Sequence, residues 1–185
     1  IMPSLVGSEM CIRDRATAMT KVSIRFAEST DAETIFDFIN ALAEYEREPD
    51  AVETTISTIR KQLDSTPAPF ECLIAESKDG PQGFALFFHN YSTWRGKQGI
   101  YLEDLFVPEQ HRGQGIGKLL LATLAKIAVE RDCPRLEWSV LDWNQPAIDF
   151  YESLGTTVMR DWLPCRIDDI NLSEIALQGT TVSKR

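Results

Sequence analysis

Gly113, Gly115 and Gly117 stand two apart in the run Val107-Pro108-Glu109-Gln110-His111-Arg112-Gly113-Gln114-Gly115-Ile116-Gly117-Lys118-Leu119-Leu120. An apolar strand ends at Pro108, and an apolar-periodic helix follows the glycines. Backbone N–H groups free of Cβ crowding then gather at the positive end of a helix dipole, which is the chemistry of a phosphate cradle. Two familiar cradles fail by counting. A Walker A loop needs glycine where Arg112 stands and Ser or Thr where Leu119 stands, and the G-x-G-x-x-G dinucleotide fingerprint needs glycine at Lys118. A glycine-rich strand-to-helix turn that holds no ligand is the plain alternative.

A second chemical feature lies just upstream, in Ile100-Tyr101-Leu102-Glu103-Asp104-Leu105-Phe106-Val107. The apolar frame is that of a central strand covered on both faces, yet two adjacent carboxylates sit in its middle. Successive strand side chains point to opposite faces, so a regular strand cannot present both to the same solvent. An unpaired buried carboxylate is costly and normally has a partner or a purpose. The structural alternatives are an ion pair or a bulge that turns one side chain outward. The functional reading makes Glu103 a receiver for a substrate ammonium, or a base acting on it directly or through water. An alkylammonium with a pKa near ~10.4 has no lone pair at neutral pH, and a carboxylate both attracts it and helps relay its proton away.

The third feature is Asp142-Trp143-Asn144-Gln145-Pro146-Ala147-Ile148-Asp149-Phe150-Tyr151-Glu152-Ser153-Leu154-Gly155. Asn144 suits a helix N-cap and Tyr151 falls two turns along that helix. By itself a pair such as Phe150-Tyr151 is more often core packing than catalysis. The cysteines at 11, 72, 133 and 165 form no C-x-x-C pair, and His89 and His111 are the only histidines. Neither a metal site nor a cysteine nucleophile beside a histidine is expected, and free thiols fit a reducing cytosol.

These residues must be positioned by a folded frame. Val22–Phe26 alternates as a strand; Thr30-Asp31 opens a helix with Ile35, Phe36, Ile39, Leu42 and Ala43 on its apolar stripe. A shorter helix runs from Thr54 or Thr55 to about Leu63. Phe70–Ala75 and Gly83–His89 form a hairpin around Asp79-Gly80-Pro81, and Gly99–Val107 is the next strand. Gly115–Arg131 and Gln145–Leu154 are helices flanking a strand at Arg135–Leu141, and Val158–Ile167 is expected to be a final strand or hairpin. The order gives an α/β fold with a mixed central sheet, antiparallel in its N-terminal half, with a parallel βαβ crossover at the glycine loop.

At 185 residues with a net charge of −9, the chain has room for one sizeable core and no basic face for nucleic acid. No apolar run reaches the ~20 residues of a membrane span. Residues 1–18 read as a non-native or disordered leader, because Val6–Arg15 looks like translated adapter sequence; the folded domain is expected over residues 19–185, from Met19.

The glycine loop, as Arg112-x-x-Gly115-x-Gly117, resembles the pyrophosphate motif of the GNAT superfamily of N-acetyltransferases, and Asn144-x-x-Ala147-x-x-x-Tyr151…Gly155 resembles its final motif. With Tyr91–Lys97, Ile100–Leu105 and Val140–Gln145, the chain is similar to the diamine branch, most of all to the thialysine N-epsilon-acetyltransferase type, itself related to spermidine/spermine N1-acetyltransferase. The likeness spans Val22 to Ile167. It implies a GNAT fold, a homodimer in the cytoplasm, and acetyl-CoA as co-substrate with no metal. It further implies coenzyme contacts from Leu105, Phe106, Val107, Arg112, Gly113, Gln114, Gly115, Ile116, Gly117 and Lys118, with Asn144 and Tyr151 nearby. Tyr151 becomes the general acid to the departing thiolate, and Tyr45, Glu46, Trp94, Glu103 and Asp104 line the amine site. For Tyr45 and Glu46 an exposed helix end is the competing reading. Ser92 stands where polyamine-preferring relatives carry aspartate, which favours a shorter amine. The reading is transfer of acetyl to a primary amine of a small diamine or thialysine-like amino acid, by direct attack in a ternary complex. The rivals are an acetyltransferase of protein N-termini or lysines and a non-catalytic acyl-CoA-binding module.

Overall fold

The computed structural model describes residues 22–182, and the expected leader and Met19 lie outside them. The chain divides into two compact units, one ending at Ser139 and one beginning at Val140. The first unit contains β1 (Ser23–Phe26), α1 (Ala32–Glu46), α2 (Ile56–Leu63), β2 (Glu71–Ser77), β3 (Gly80–Ser92), β4 (Lys97–Phe106), α3 (Ile116–Glu130) and β5 (Leu136–Glu137). The second contains α4 (Gln145–Ser153) and α5 (Asp169–Ala176).

The sheet follows sequence order, β1-β2-β3-β4-β5. Its first four strands pair antiparallel, as hairpins and short connections allow, and β4 pairs parallel with β5 through the α3 crossover. This is the mixed α/β sheet expected from the order of elements.

Strand alternation divides the apolar residues between two layers. Cys72, Ile74, Phe84, Leu86 and Phe106 lie under Ala32, Ile35, Phe38 and Ile59 of α1 and α2. Phe38 stacks on Phe84 with ring centroids 5.4 Å apart. The intervening Leu73, Ala75, Ala85 and Phe87 are also buried; α3 packs on β1 to β4 and buries Leu120, Leu121, Leu124, Ile127 and Ala128. Both faces are therefore covered, which explains why β2 and β3 read as continuous apolar runs rather than alternating ones. Each large side chain so buried contributes ~1.5–3 kcal/mol.

Charged pairs fix the elements' ends. Arg25 on β1 grips Asp31 with two nitrogens, at 2.7 and 2.8 Å, and Glu76 on β2 at 2.8 Å. The Asp31 carboxylate also accepts the Glu28 N–H at the mouth of α1. Arg131, at the end of α3, makes a two-pronged pair with Glu71 at the start of β2. Being partly exposed, each such pair adds ~0–1 kcal/mol and serves mainly to set position.

Two expectations are corrected. The strand expected over Arg135–Leu141 is only Leu136–Glu137, because its ladder with β4 covers just Ile100 and Tyr101. Val158–Ile167 forms no strand, and helix α5 follows instead. Its apolar side chains are exposed, Leu163 at 83% and Trp162 at 66%, and Pro164 lacks the N–H a ladder needs. Apolar content alone does not make a strand without a neighbour to pair.

Gly83 sets how closely β3 and the end of β4 approach. A Cβ there would stand 2.8 Å from the Phe106 carbonyl oxygen and 3.1 Å from Val107 Cγ2. Because the first of these is backbone, Gly83→Ala is expected to destabilise the fold by ~1–3 kcal/mol in urea unfolding; an unchanged midpoint would show that β4 shifts freely at this point.

Candidate functional site

β4 carries the site of the first unit, and its register explains how. Leu86 pairs with Asp104 but Phe87 pairs with Leu102, so Glu103 is an extra residue without a partner opposite. It is a β-bulge, one of the two structural alternatives open to the paired carboxylates. The bulge turns Glu103 out to solvent and lets Asp104 and Phe106 fall on the face covered by α1. A strand buried on both faces thus holds two consecutive carboxylates with neither sealed in the α3 layer.

Asp104 is half-buried. Burial, then the nearby charges of Glu103 and Glu46, push its carboxyl up to about 7. No cation among the described residues is one of the groups acting on it. Glu46 is half-buried as well, and burial raises its pKa. It ends α1, whose last turn has no basic residue, so the negative end of the helix dipole adds to the carboxylates there. The result is a spot of concentrated negative charge, suited to a cation.

Tyr45, beside Glu46, is half-buried and packs against the core of α1 and α2. The guanidinium of Arg112 covers its ring, with Cζ 4.7 Å from the centroid. It also lies 5.8 Å from the Phe106 ring, and its Nε donates to the Val107 carbonyl at 2.9 Å. Tyr45 and Glu46 are therefore not a bare helix end.

Beyond β4 the chain turns through Pro108 and a short 3-10 helix, Glu109–His111, into the glycine loop. Gly113 and Gly115 have φ of +73° and +81°, a region that favours glycine, and Gly115 is the N-cap of α3. A Cβ on either would meet nothing within 4 Å. The protein's own packing leaves that space open. The first N–H groups of a helix lack intrahelical partners, and here the N-cap supplies no side-chain bond and the first turn no acid. Ile116 is 2% exposed and anchors the helix start, while Gln114 and Lys118 are exposed. Such a cradle fits an external anion.

Alongside it, the β5 ladder ends at Tyr101, short of Leu105, Phe106 and Val107. Trp94 is not brought to the carboxylates. It is 89% exposed on the β3–β4 turn, and Glu103 lies six residues beyond Lys97, a span of ~20 Å at ~3.3 Å per residue. Ser92 is 4% exposed, and its hydroxyl accepts the Arg95 N–H within that turn. Its side chain serves the hairpin, which weakens its use as a mark of substrate length.

In the second unit, Asn144 is the N-cap of α4, as the sequence indicates. It is 7% exposed and its Oδ1 accepts from Ala147 N at 3.3 Å. The Tyr151 ring is half-buried and stands against Phe150, centroids 5.2 Å apart. Among the described residues no group of three His, Cys, Asp or Glu could hold a metal ion, and no helix is long and apolar enough to cross a membrane. Cys72 is buried, which pushes its thiol pKa up and makes it a poor nucleophile.

Sequence reasoning missed the Arg112–Tyr45 stack. The two are far apart in the chain and share no period, so no local signal marks them.

Residues 33–156 match the family model described as the acetyltransferase (GNAT) family. A thialysine N-epsilon-acetyltransferase of Bos taurus is 35% identical over 169 residues, covering 85% of this chain and 99% of that protein. An L-ornithine N5-acetyltransferase of Arabidopsis thaliana is 51% identical over 85 residues, 46% of this chain and 37% of that one. Among solved structures, an integron cassette protein from the mobile metagenome of V. cholerae superposes with a TM-score of 0.69 at 26% identity, covering 84% of this chain and 97% of that one.

Asp104 yields a sign-defined pH effect. Its pKa is higher folded than unfolded, so its ionisation costs stability as pH rises from about 4 through about 7. Asp104→Asn is expected to match wild type in thermal unfolding below pH 4 and to exceed it by a margin that grows to pH 8, up to ~4 kcal/mol at ~1.4 kcal/mol per pH unit. A margin independent of pH would show that Asp104 is not held in this environment.

Proposed function

The chain belongs to the GNAT acetyltransferase family and is an N-acetyltransferase, and from this we propose that it acetylates a primary amine of a small diamine or thialysine-like amino acid. The observation that carries the reading is the group of Glu46, Glu103 and Asp104, on and beside the strand that leads, through Pro108 and one 3-10 turn, to the glycine cradle. Acetyl-CoA supplies an activated thioester, held by the backbone of Leu105 to Val107 and by Arg112 to Lys118. The ornithine and thialysine specificities in the names of the similar proteins favour a short amine with a second polar group.

Each role follows from the residue's chemistry. Glu46 and Asp104 attract the ammonium. Glu103, exposed on its bulge, takes a proton from it directly or through water, leaving a lone pair free to attack. Backbone N–H groups polarise the carbonyl. Tyr151 gives its phenolic proton to the departing thiolate and is restored by the second proton that the acetylated nitrogen sheds as the amide forms, and Asn144 supports the coenzyme. The attack is direct, in a ternary complex, with no acyl-enzyme. A homodimer and a cytoplasmic setting complete the proposal, with the catalytic domain beginning at Met19 and residues 1–18 outside it. Trp94 reaches an amine only if the site draws on more than the strand that carries Glu103.

The test is thiol release from acetyl-CoA with thialysine, lysine, ornithine, putrescine, spermidine and an N-terminal peptide. Turnover is expected with the short amines and greatest with thialysine or ornithine. A signal from the peptide alone would transfer the assignment to protein acetylation, and binding of acetyl-CoA without turnover of any amine would make the chain a binding module. Tyr151→Phe is expected to lower kcat by ~10²–10⁴ with the dissociation constant of acetyl-CoA within about twofold; an unchanged kcat removes Tyr151 from the reaction.

A further inference from the structure

The Arg112 guanidinium does not extend into the space above the glycines. It is folded back, bonded to the Val107 carbonyl, with Cζ over the Tyr45 ring. Three segments meet in this one contact: the exit of β4, the first residue of the loop, and the last turn of α1. Tyr45 is packed against the core, so its ring is a fixed platform. The loop it faces is exposed from Arg112 to Gly115 and contains two glycines with open surroundings. Its other ties are few and local: Arg112 N donates to the Glu109 carbonyl at 3.1 Å, and Gln114 Nε2 to the Gln110 carbonyl at 3.3 Å. Both join the loop only to its own preceding turn. The stack joins it to the body of the fold, beside the approach of the same guanidinium to the Phe106 ring and the buried Ile116 that follows the loop.

We propose that Tyr45 is a positioning residue for the acetyl-CoA loop. By holding the Arg112 guanidinium against the Val107 carbonyl it fixes the path of Gly113 to Gly117, so that the turn of α1 that carries Glu46 toward the amine also sets coenzyme affinity. The inference rests on the glycine loop being the coenzyme cradle. Its physical basis is that a loop already held in its bound path loses less conformational freedom when a ligand arrives. The aromatic ring is what matters, because the attraction is between the guanidinium and the ring face.

Titration calorimetry with acetyl-CoA in the absence of amine tests this on Tyr45→Phe, Tyr45→Leu, Arg112→Lys, Arg112→Ala and the double variant Tyr45→Leu/Arg112→Ala. Tyr45→Phe keeps the ring and is expected to bind within about twofold of wild type. Tyr45→Leu is expected to bind ~5- to 20-fold more weakly, in line with the strength of a partly desolvated cation–π contact. The double variant should bind no more weakly than Arg112→Ala, since the ring acts through the guanidinium. Arg112→Lys changes an exposed side chain and tests the stack without disturbing the core: it keeps the charge, loses the flat face, and should raise KM for acetyl-CoA but not for the amine. Affinity unchanged in Tyr45→Leu, losses that add in the double variant, or wild-type KM for acetyl-CoA in Arg112→Lys would each overturn the proposal. A wild-type chain that binds no acetyl-CoA overturns the cradle reading itself and this inference with it.

Discussion

A strand covered on both faces offers no solvent to a carboxylate, and β4 carries two in succession. The chain meets this constraint by inserting one residue. Glu103 drops out of the ladder with β3, and every residue after it changes face relative to those before. Ile100 and Leu102 therefore serve the α3 layer, while Asp104 and Phe106 serve the α1 layer. Without the bulge, Phe106 would leave the cluster it forms with Phe38 and Phe84. Asp104 would be carried into the opposite apolar layer. Core packing and site electrostatics are two results of the same irregularity.

The same strand then connects opposite electrostatic environments over a few residues. At Asp104 it passes the C-terminal end of α1, where Glu46 and the helix dipole are both negative. At Gly115 it has become the N-cap of α3, where the dipole is positive and no acidic residue offsets it. One end suits an ammonium and the other a phosphate. Burial of Asp104 among like charges costs stability, and the large apolar layers on both faces of the sheet offset that cost. Arg112 follows β4 in the chain, with Nε on the Val107 carbonyl and Cζ over the Tyr45 ring.

Much was legible from residue types alone, because the signals were local. Thr55 before Ile56 and Asn144 before Gln145 are side chains that can accept helix N–H groups, and both do so. The start of α3 was marked by glycines and by the return of apolar residues at helical spacing. The extent of β5 was not legible, since its length is set by how far β4 remains available for pairing. The aromatic stretch before α5 has the composition of a strand but pairs with no strand among the described residues. For Ser92, residue type suggested a missing charge, and its burial shows a hydroxyl engaged in a turn.

The sequence by itself determined the order of elements, the mixed sheet, the glycine loop at a helix start, and the family to which these point. Each of these depends on a short-range property: period, cap, or backbone freedom. Tertiary structure alone decided which carboxylate faces solvent, that Glu46 and Asp104 share one charged spot, and that Arg112 folds onto Tyr45. A one-residue bulge reverses the facing of a strand without any change in composition, and a stack between distant segments leaves no periodic trace. Both arise from how layers close on one another, a property that no window of sequence contains.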